Sequence, residues 1–268
     1  MASSVDKNTP TFQREPDGTP VTQILYLDVD PARNLEDEST RDGKLWAEML
    51  DLLQDSPGFK RLYWGRRLEE PEKVQIHVVR DTIDAHQTFL SSPSFQQDLI
   101  NKIRRLTVLP SPSSTSSSPH PKDNDHQHHH RPPTSQLPLS IRHVYLHPFT
   151  QPSPLGSRPT LGLPVGTAIY TGATETWYAG AWPLWTHIVR HVDGCVGIAG
   201  GRVAERVAGL GDGFMVFVAW ESVAKHDAYH GTGHFAKYGV VLGHGHKGYV
   251  EYGHVVFRGA REGVRGKL

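Results

Sequence analysis

The stretch Val218-Ala219-Trp220-Glu221-Ser222-Val223-Ala224-Lys225-His226-Asp227-Ala228-Tyr229-His230-Gly231-Thr232-Gly233-His234-Phe235 decides the fold, because a degenerate copy of it stands 140 residues earlier. That copy, Val78-Val79-Arg80-Asp81-Thr82-Ile83-Asp84-Ala85-His86-Gln87-Thr88-Phe89-Leu90-Ser91-Ser92-Pro93-Ser94-Phe95, aligns without a gap. His86 matches His226 and Phe95 matches Phe235, whereas His230 and His234 face Leu90 and Ser94. Upstream, once a four-residue insertion is allowed, Pro57-Gly58-Phe59 answers Asp193-Gly194-Cys195 and Gly65-Arg66 answers Gly201-Arg202. Solenoid units run about 20 to 50 residues and need several copies. Two copies of a domain-sized unit fit this spacing better.

Between the copies, residues 110–138 exchange almost every large apolar side chain for serine, proline and histidine. Such a segment cannot bury enough surface to offset its ordering entropy, so a disordered linker is expected there. His126 and His128 to His130 read as part of a solvated tether and not as a metal site. The organisation that follows is a disordered N-terminus over 1–20, a degenerate first repeat over 21–109, the linker, and a second repeat over 139–260 that carries the site.

Composition excludes several classes. The chain has 28 basic and 28 acidic side chains, so no net field draws nucleic acid or an anionic membrane surface. Cys195 is the single cysteine, which rules out an intrachain disulfide framework. The first twenty residues lack the apolar core of a secretory signal, and no run approaches the roughly 18 apolar residues of a membrane span. A soluble cytoplasmic protein is the expectation.

Each half reads as strand, helix, strand, strand, helix, strand. In the first, Val21 to Asp28 alternates as a strand. Leu45, Trp46, Met49, Leu50, Leu52 and Leu53 then form an apolar stripe on a helix from Asp42 to Leu53. Phe59 to Arg66 and Lys73 to Arg80 make two further strands, joined through Glu69-Glu70-Pro71. In the second half, Ile141 to His147 is the expected opening strand and Trp177 to Val192 the helix region. Val196 to Val203 and Phe214 to Trp220 follow as a hairpin turning at Gly211-Asp212-Gly213. A helix opened by Ser222 breaks at Gly231 to Gly233, a further helical piece runs near Phe235 to Leu242, and Tyr249 to Phe257 closes the half. Two β-α-β-β-α-β units of this kind are ferredoxin-like, an α+β class. Their open faces would bury each other in an intramolecular dimeric α/β barrel.

The run Trp220, an acid, Ser222, Ala224, His226, Ala228-Tyr229-His230 and Thr232-Gly233-His234-Phe235 resembles the antibiotic biosynthesis monooxygenase (ABM) family of dimeric α/β barrels. The resemblance covers about Trp177 to Phe257 and, more weakly, Val21 to Val108. The layout also resembles tandem-barrel proteins of filamentous fungi. It implies oxygenation without metal or flavin, in which a substrate anion itself passes an electron to oxygen. No cofactor and no metal would then be needed, and the partner would be a small hydrophobic or aromatic substrate. Related barrels also host cyclases, decarboxylases, haem enzymes and stress-response proteins, so fold does not fix function.

Within that frame His230 and His234 are the candidate catalytic bases, since histidine accepts and returns a proton near neutrality. Trp220, Tyr229 and His254 are the candidate substrate contacts. Three histidines spaced by four would cluster on an unbroken helix, but the expected break separates them and argues against a metal. The competing reading makes these histidines helix caps. His86 and His226, present in both halves, read as architectural. Trp177, Trp182 and Trp185 read as core. Three functions fit the sequence: a tailoring enzyme of secondary metabolism acting on a polyketide-like aromatic, as a cofactor-independent monooxygenase or a related cyclase or decarboxylase; a non-catalytic ligand-binding or stress-response barrel; and a haem-binding barrel. The chain would be a monomer with an intramolecular barrel or a homodimer.

Overall fold

The computed structural model describes residues 15–16, 18–107, 139–207 and 210–263. The expected linker over 110–138, with His126 and His128 to His130, lies outside the described residues, as does most of the expected N-terminal tail. Strand β1 (Val21–Asp28) leads to helix α1 (Arg41–Gln54), β2 (Phe59–Arg67), β3 (Lys73–Arg80) and α2 (Ile83–Leu90). A π-helical turn (Ser94–Leu99), α3 (Ile100–Leu106) and β4 (Leu139–Pro148) follow. Next come β5 (Pro164–Thr171), a π-helical turn (Thr176–Ala181), α4 (Trp182–Val189), β6 (Cys195–Val203) and β7 (Gly213–Trp220). Then α5 (Val223–His230), α6 (Gly233–Tyr238), a 3-10 turn (Gly239–Gly243) and β8 (Gly248–Glu262) complete the described chain.

Local chemistry sets these boundaries. The Thr40 hydroxyl accepts from the Gly43 N–H at 3.0 Å and opens α1, whose stripe of Leu45, Trp46, Met49, Leu50 and Leu53 is buried. Thr82 and Ser222 cap α2 and α5 in the same way. The helix break falls where the sequence places it: α5 stops at Gly231, and the Thr232 hydroxyl accepts from the Phe235 N–H at 3.1 Å to start α6.

All eight strands pair antiparallel in one closed barrel, in the order β4-β1-β3-β2-β8-β5-β7-β6. Strand alternation divides the apolar side chains between two faces. Ile24, Tyr63, Val144, Ile169, Phe217 and Phe257 meet inside the barrel. Leu25, Leu62, Val74 and Ile76 face outward under α1 to α3, and Ile198, Phe214, Val216 and Trp220 face outward under α4 to α6.

The order around the barrel corrects one expectation. Ile141 to His147, read as the opening strand of the second repeat, lies in β4, which pairs with β1 from Thr22↔Val144 to Leu27↔Leu139. It therefore closes the four-stranded set β4-β1-β3-β2, and β5 opens the set β8-β5-β7-β6. The sequence reading left Pro164–Thr171 without a strand. A strand's partner is a long-range property, and nothing local distinguishes a closing strand from an opening one. The second hairpin also differs: Val207 bridges Gly211, so its turn ends at Gly211 and Gly213 already belongs to β7. No helix among the described residues is long and apolar enough to cross a membrane.

The two seams between the sets are built alike. A Cβ on Gly65 of β2 would stand 2.2 Å from the Val256 carbonyl oxygen of β8. On Gly201 of β6 it would stand 1.9 Å from the Tyr145 carbonyl oxygen of β4. These glycines, matched in the sequence repeat, let each seam close. Backbone cannot yield as a flexible side chain does, so Gly65→Ala and Gly201→Ala are each expected to cost at least about 2 kcal/mol. Urea unfolding midpoints measure this, and unshifted midpoints would refute the close approach.

Candidate active site

A cavity of about 650 Å³ lies between the outer face of β5 and β7 and the helices above them, within the about 300–1,000 Å³ of small-molecule sites. Gly166, Ala168 and Tyr170 of β5 and Val216, Val218 and Trp220 of β7 form its floor. Trp182 and Trp185 of α4, His226, Tyr229 and His230 of α5, and Phe235 and Leu242 form its walls, with Tyr249 and Tyr252 about half exposed beside it. The lining is aromatic and contains no carboxylate, lysine or arginine.

The polar feature of this cavity is a chain of three side chains. The Glu69 carboxylate, on the β2–β3 hairpin of the opposite set, accepts from the His254 backbone N–H at 2.8 Å and from its ring Nδ1–H at 2.5 Å. His254 Nε2 in turn lies 2.8 Å from His226 Nδ1. With both rings neutral, Glu69 sets the order of donors: His254 carries its proton on Nδ1, so its Nε2 accepts from the Nδ1–H of His226. This leaves the lone pair of His226 on Nε2, an atom that makes no hydrogen bond among the described residues. The His226 ring stacks on Trp220, centroids 4.8 Å apart and planes at 22°, and lies 4.6 Å from the His230 ring.

Electrostatics keep the bases unprotonated and the phenols protonated. Burial, reinforced by His230 and His254, pushes His226 down to about 4. Burial also lowers His230. Burial works to raise the Glu69 carboxyl, but the hydrogen bonds from the His254 backbone and ring outweigh it, and the net shift is downward. Tyr229 and Tyr170 are each pushed up to about 12, chiefly by burial, so near neutrality both are donors.

Of the residues chosen from sequence, Trp220, Tyr229 and His230 line the cavity. His254 stands behind His226 and reaches the cavity only through it. His234 lies apart from the lining. It is exposed on α6, its Nδ1 3.1 Å from the Tyr229 hydroxyl and its ring 4.7 Å from Tyr238. The break at Gly231 starts a new helix whose face is not that of α5. His226, read as architectural, is part of the wall, and Glu69 was not singled out at all.

A signal for both was present in the sequence. Gly65-Arg66-Arg67-Leu68-Glu69 matches Gly201-Arg202-Val203-Ala204-Glu205, and His143-Val144 of β4 matches His254-Val255 of β8. In the structure Glu205 binds the backbone N–H and ring Nδ1 of His143, at 2.9 and 2.5 Å, as Glu69 binds His254. Beyond that point the halves diverge. Arg80, at the position of Trp220 in the repeat, is fully buried. It donates to His86 Nδ1 at 2.9 Å and lies 4.6 Å over the Phe89 ring, where the second half has its cavity beside Tyr229.

Among the described residues, no group of three or more histidine, cysteine, aspartate or glutamate side chains is placed to hold a metal ion. No family model matches the chain, and no curated protein does. Solved structures do. The chain is similar to an anthrone oxidase-like protein at 13% identity and TM-score 0.57, over 91% of this chain and 93% of that one. It is similar to a candidate monooxygenase of Fusobacterium nucleatum at 7% identity and TM-score 0.50, over 91% and 95%. SnoaB, a cofactor-independent oxygenase of Streptomyces nogalater, matches 37% of this chain over 99% of its own at 21% identity and TM-score 0.27. The first two likenesses bear out, at the level of fold, the resemblance read from the sequence.

Two outcomes follow for solution behaviour. An unfolded histidine titrates near about 6.5, whereas folded His226 sits near about 4, His77 near about 3 and His86 well below its ordinary value. The unfolded chain therefore takes up more protons as pH falls from about 6.5 to about 4, and stability drops across that window. Melting temperature against pH measures it, and a flat profile would contradict the burial of these rings. His234→Ala is expected to change stability by no more than about 0.5 kcal/mol and to leave ligand affinity in the cavity unchanged, as calorimetry would show.

Proposed function

We propose that the chain is a cofactor-independent monooxygenase acting on a polyketide-like aromatic substrate, with His226 as general base. The observation that carries this reading is the Glu69–His254–His226 chain, which ends on a neutral imidazole in the wall of an aromatic cavity. Two folds similar over nine-tenths of the chain carry the names anthrone oxidase-like protein and candidate monooxygenase, which supports it further.

The phenolic or enolic O–H of the substrate gives its proton to His226 Nε2. The resulting imidazolium is stabilised through His254 by the Glu69 carboxylate, which holds the rings oriented without itself taking the proton. The substrate anion passes one electron to O2, the two radicals couple into a C–O bond, and the peroxide takes back the proton from His226. Loss of water from an activated methylene then leaves a ketone: CH2 and O2 become C=O and H2O. Tyr229 and His230 contribute hydrogen bonds, and the tryptophans exclude water and stack on the rings. His230, a catalytic base in the sequence reading, is here a substrate contact, and His234 drops out.

We also infer that the two strand sets descend from one duplicated unit, with 21–148 and 164–262 as the copies. Support comes from Gly65/Gly201, Glu69/Glu205, His86/His226 and His143/His254, which stand at matching places in both. One chain then does what paired chains would do, and the first copy has lost its cavity.

The test is oxygen uptake with an enolisable anthrone as probe. His226→Gln is expected to lower kcat by about 10²–10⁴-fold, the usual worth of a positioned base, with little change in KM. Undiminished turnover in that variant would refute the reading.

A further inference from the structure

The two halves hold the same Glu–His pair and bring a second histidine ring to a similar distance, 5.0 Å between His226 and His254 and 5.2 Å between His86 and His143, but the ring nitrogens are bonded differently. In the second half His254 Nε2 meets His226 at 2.8 Å. In the first, His143 Nε2 meets Gln23 Nε2 at 3.2 Å, while His86 turns to the Val21 carbonyl at 3.0 Å and to Arg80 at 2.9 Å. The two rings are also opposite tautomers. Arg80 donates to His86 Nδ1, so the His86 proton is on Nε2, whereas against a neutral His254 the His226 proton is on Nδ1.

One strand position separates these arrangements. Gln23 lies opposite His143 in the β1–β4 ladder, and Gly166 lies opposite His254 in the β5–β8 ladder. Gln23 is fully buried and its amide covers His143 Nε2. At Gly166 the space that a side chain would take is filled by the His226 ring: a Cβ would stand 3.2 Å from Cε1 and 3.7 Å from Nδ1. The contact is tighter than ordinary packing, so a side chain there must compete with the ring for this space.

We propose that Gly166 is the positioning residue of the site: its missing side chain leaves His254 Nε2 open to His226 Nδ1, whereas at the matching place the Gln23 amide takes His143 Nε2, and the His86 ring, though equally near, makes its hydrogen bonds elsewhere. This rests on the role given to His226 above, but its geometric content is independent of it. Gly166 lies in the cavity floor beside His226 and acts by letting the Glu69 carboxylate dictate, through His254, which nitrogen of His226 is free.

The experiment is 15N NMR of histidine-labelled protein, which reads the protonated nitrogen of each ring, together with oxygen uptake on the anthrone probe. In Gly166→Gln the His226 signal is expected to leave the Nδ1–H form while Glu69 and His254 stay paired, and kcat is expected to fall at least about tenfold, as for a misplaced base. Gly166→Ala, with one Cβ at a tight contact, is expected to shift the signal part of the way and serves if the glutamine variant does not fold. Gln23→Gly, in the half without a cavity, is expected to leave turnover unchanged and to alter only the His143 and His86 signals. If His226 keeps its Nδ1–H form in both Gly166 variants, the proposal is overturned whatever turnover does. If the form changes but turnover does not, Gly166 stands as the positioning residue and the base role of His226 falls.

Discussion

Two carboxylates cross the seams of the barrel, and the rest of the structure is arranged around them. Glu69 leaves the hairpin of one strand set to bind the closing strand of the other at His254, and Glu205 returns the contact at His143. Each pair combines a backbone N–H and a ring N–H on one carboxylate, and hydrogen bonds to a charged acceptor contribute about 1.5–3 kcal/mol. The exchange is reciprocal, as at an interface with twofold symmetry. It needs the seams to be tight, which is where Gly65 and Gly201 bring backbone against backbone. The same contact that ties the sets together also sets a tautomer, so architecture and chemistry share one group.

From that shared frame the halves depart by a few side chains. Arg80 and Gln23 occupy the space above the first sheet, and the buried guanidinium is held by neutral partners, His86 Nδ1, the Ser56 hydroxyl and the Leu53 carbonyl, which makes its charge costly to bury. Trp220 and Gly166 stand at the matching places of the second half, one as an aromatic platform and the other as empty space into which His226 swings.

Much of the fold was legible because it rests on local rules. Thr40, Ser222 and Thr232 open helices by capping, Gly231 ends one, and the stripe from Leu45 to Leu53 lies where its spacing puts it. The two-unit pattern followed from the gap-free match of residues 78–95 to 218–235. The misplacement of β4 followed from the same reasoning: a break in composition at 110–138 was read as a boundary between units, but pairing places β4 with β1 on the near side of the change of set. Once β4 was misassigned, His143 and His254 could not be matched, and the Glu–His pairs stayed hidden.

The sequence by itself determined the elements of the first half and the helix break at Gly231, because these depend on residue type and on spacing of a few positions. Only the tertiary structure decided which histidines meet. A histidine shared by both halves reads as structural in one dimension; in three, His226 meets His254 from a strand 28 residues on and, through it, Glu69 from 185 residues away. Strand pairing across the barrel brings these groups together, and no local pattern carries the register of a seam.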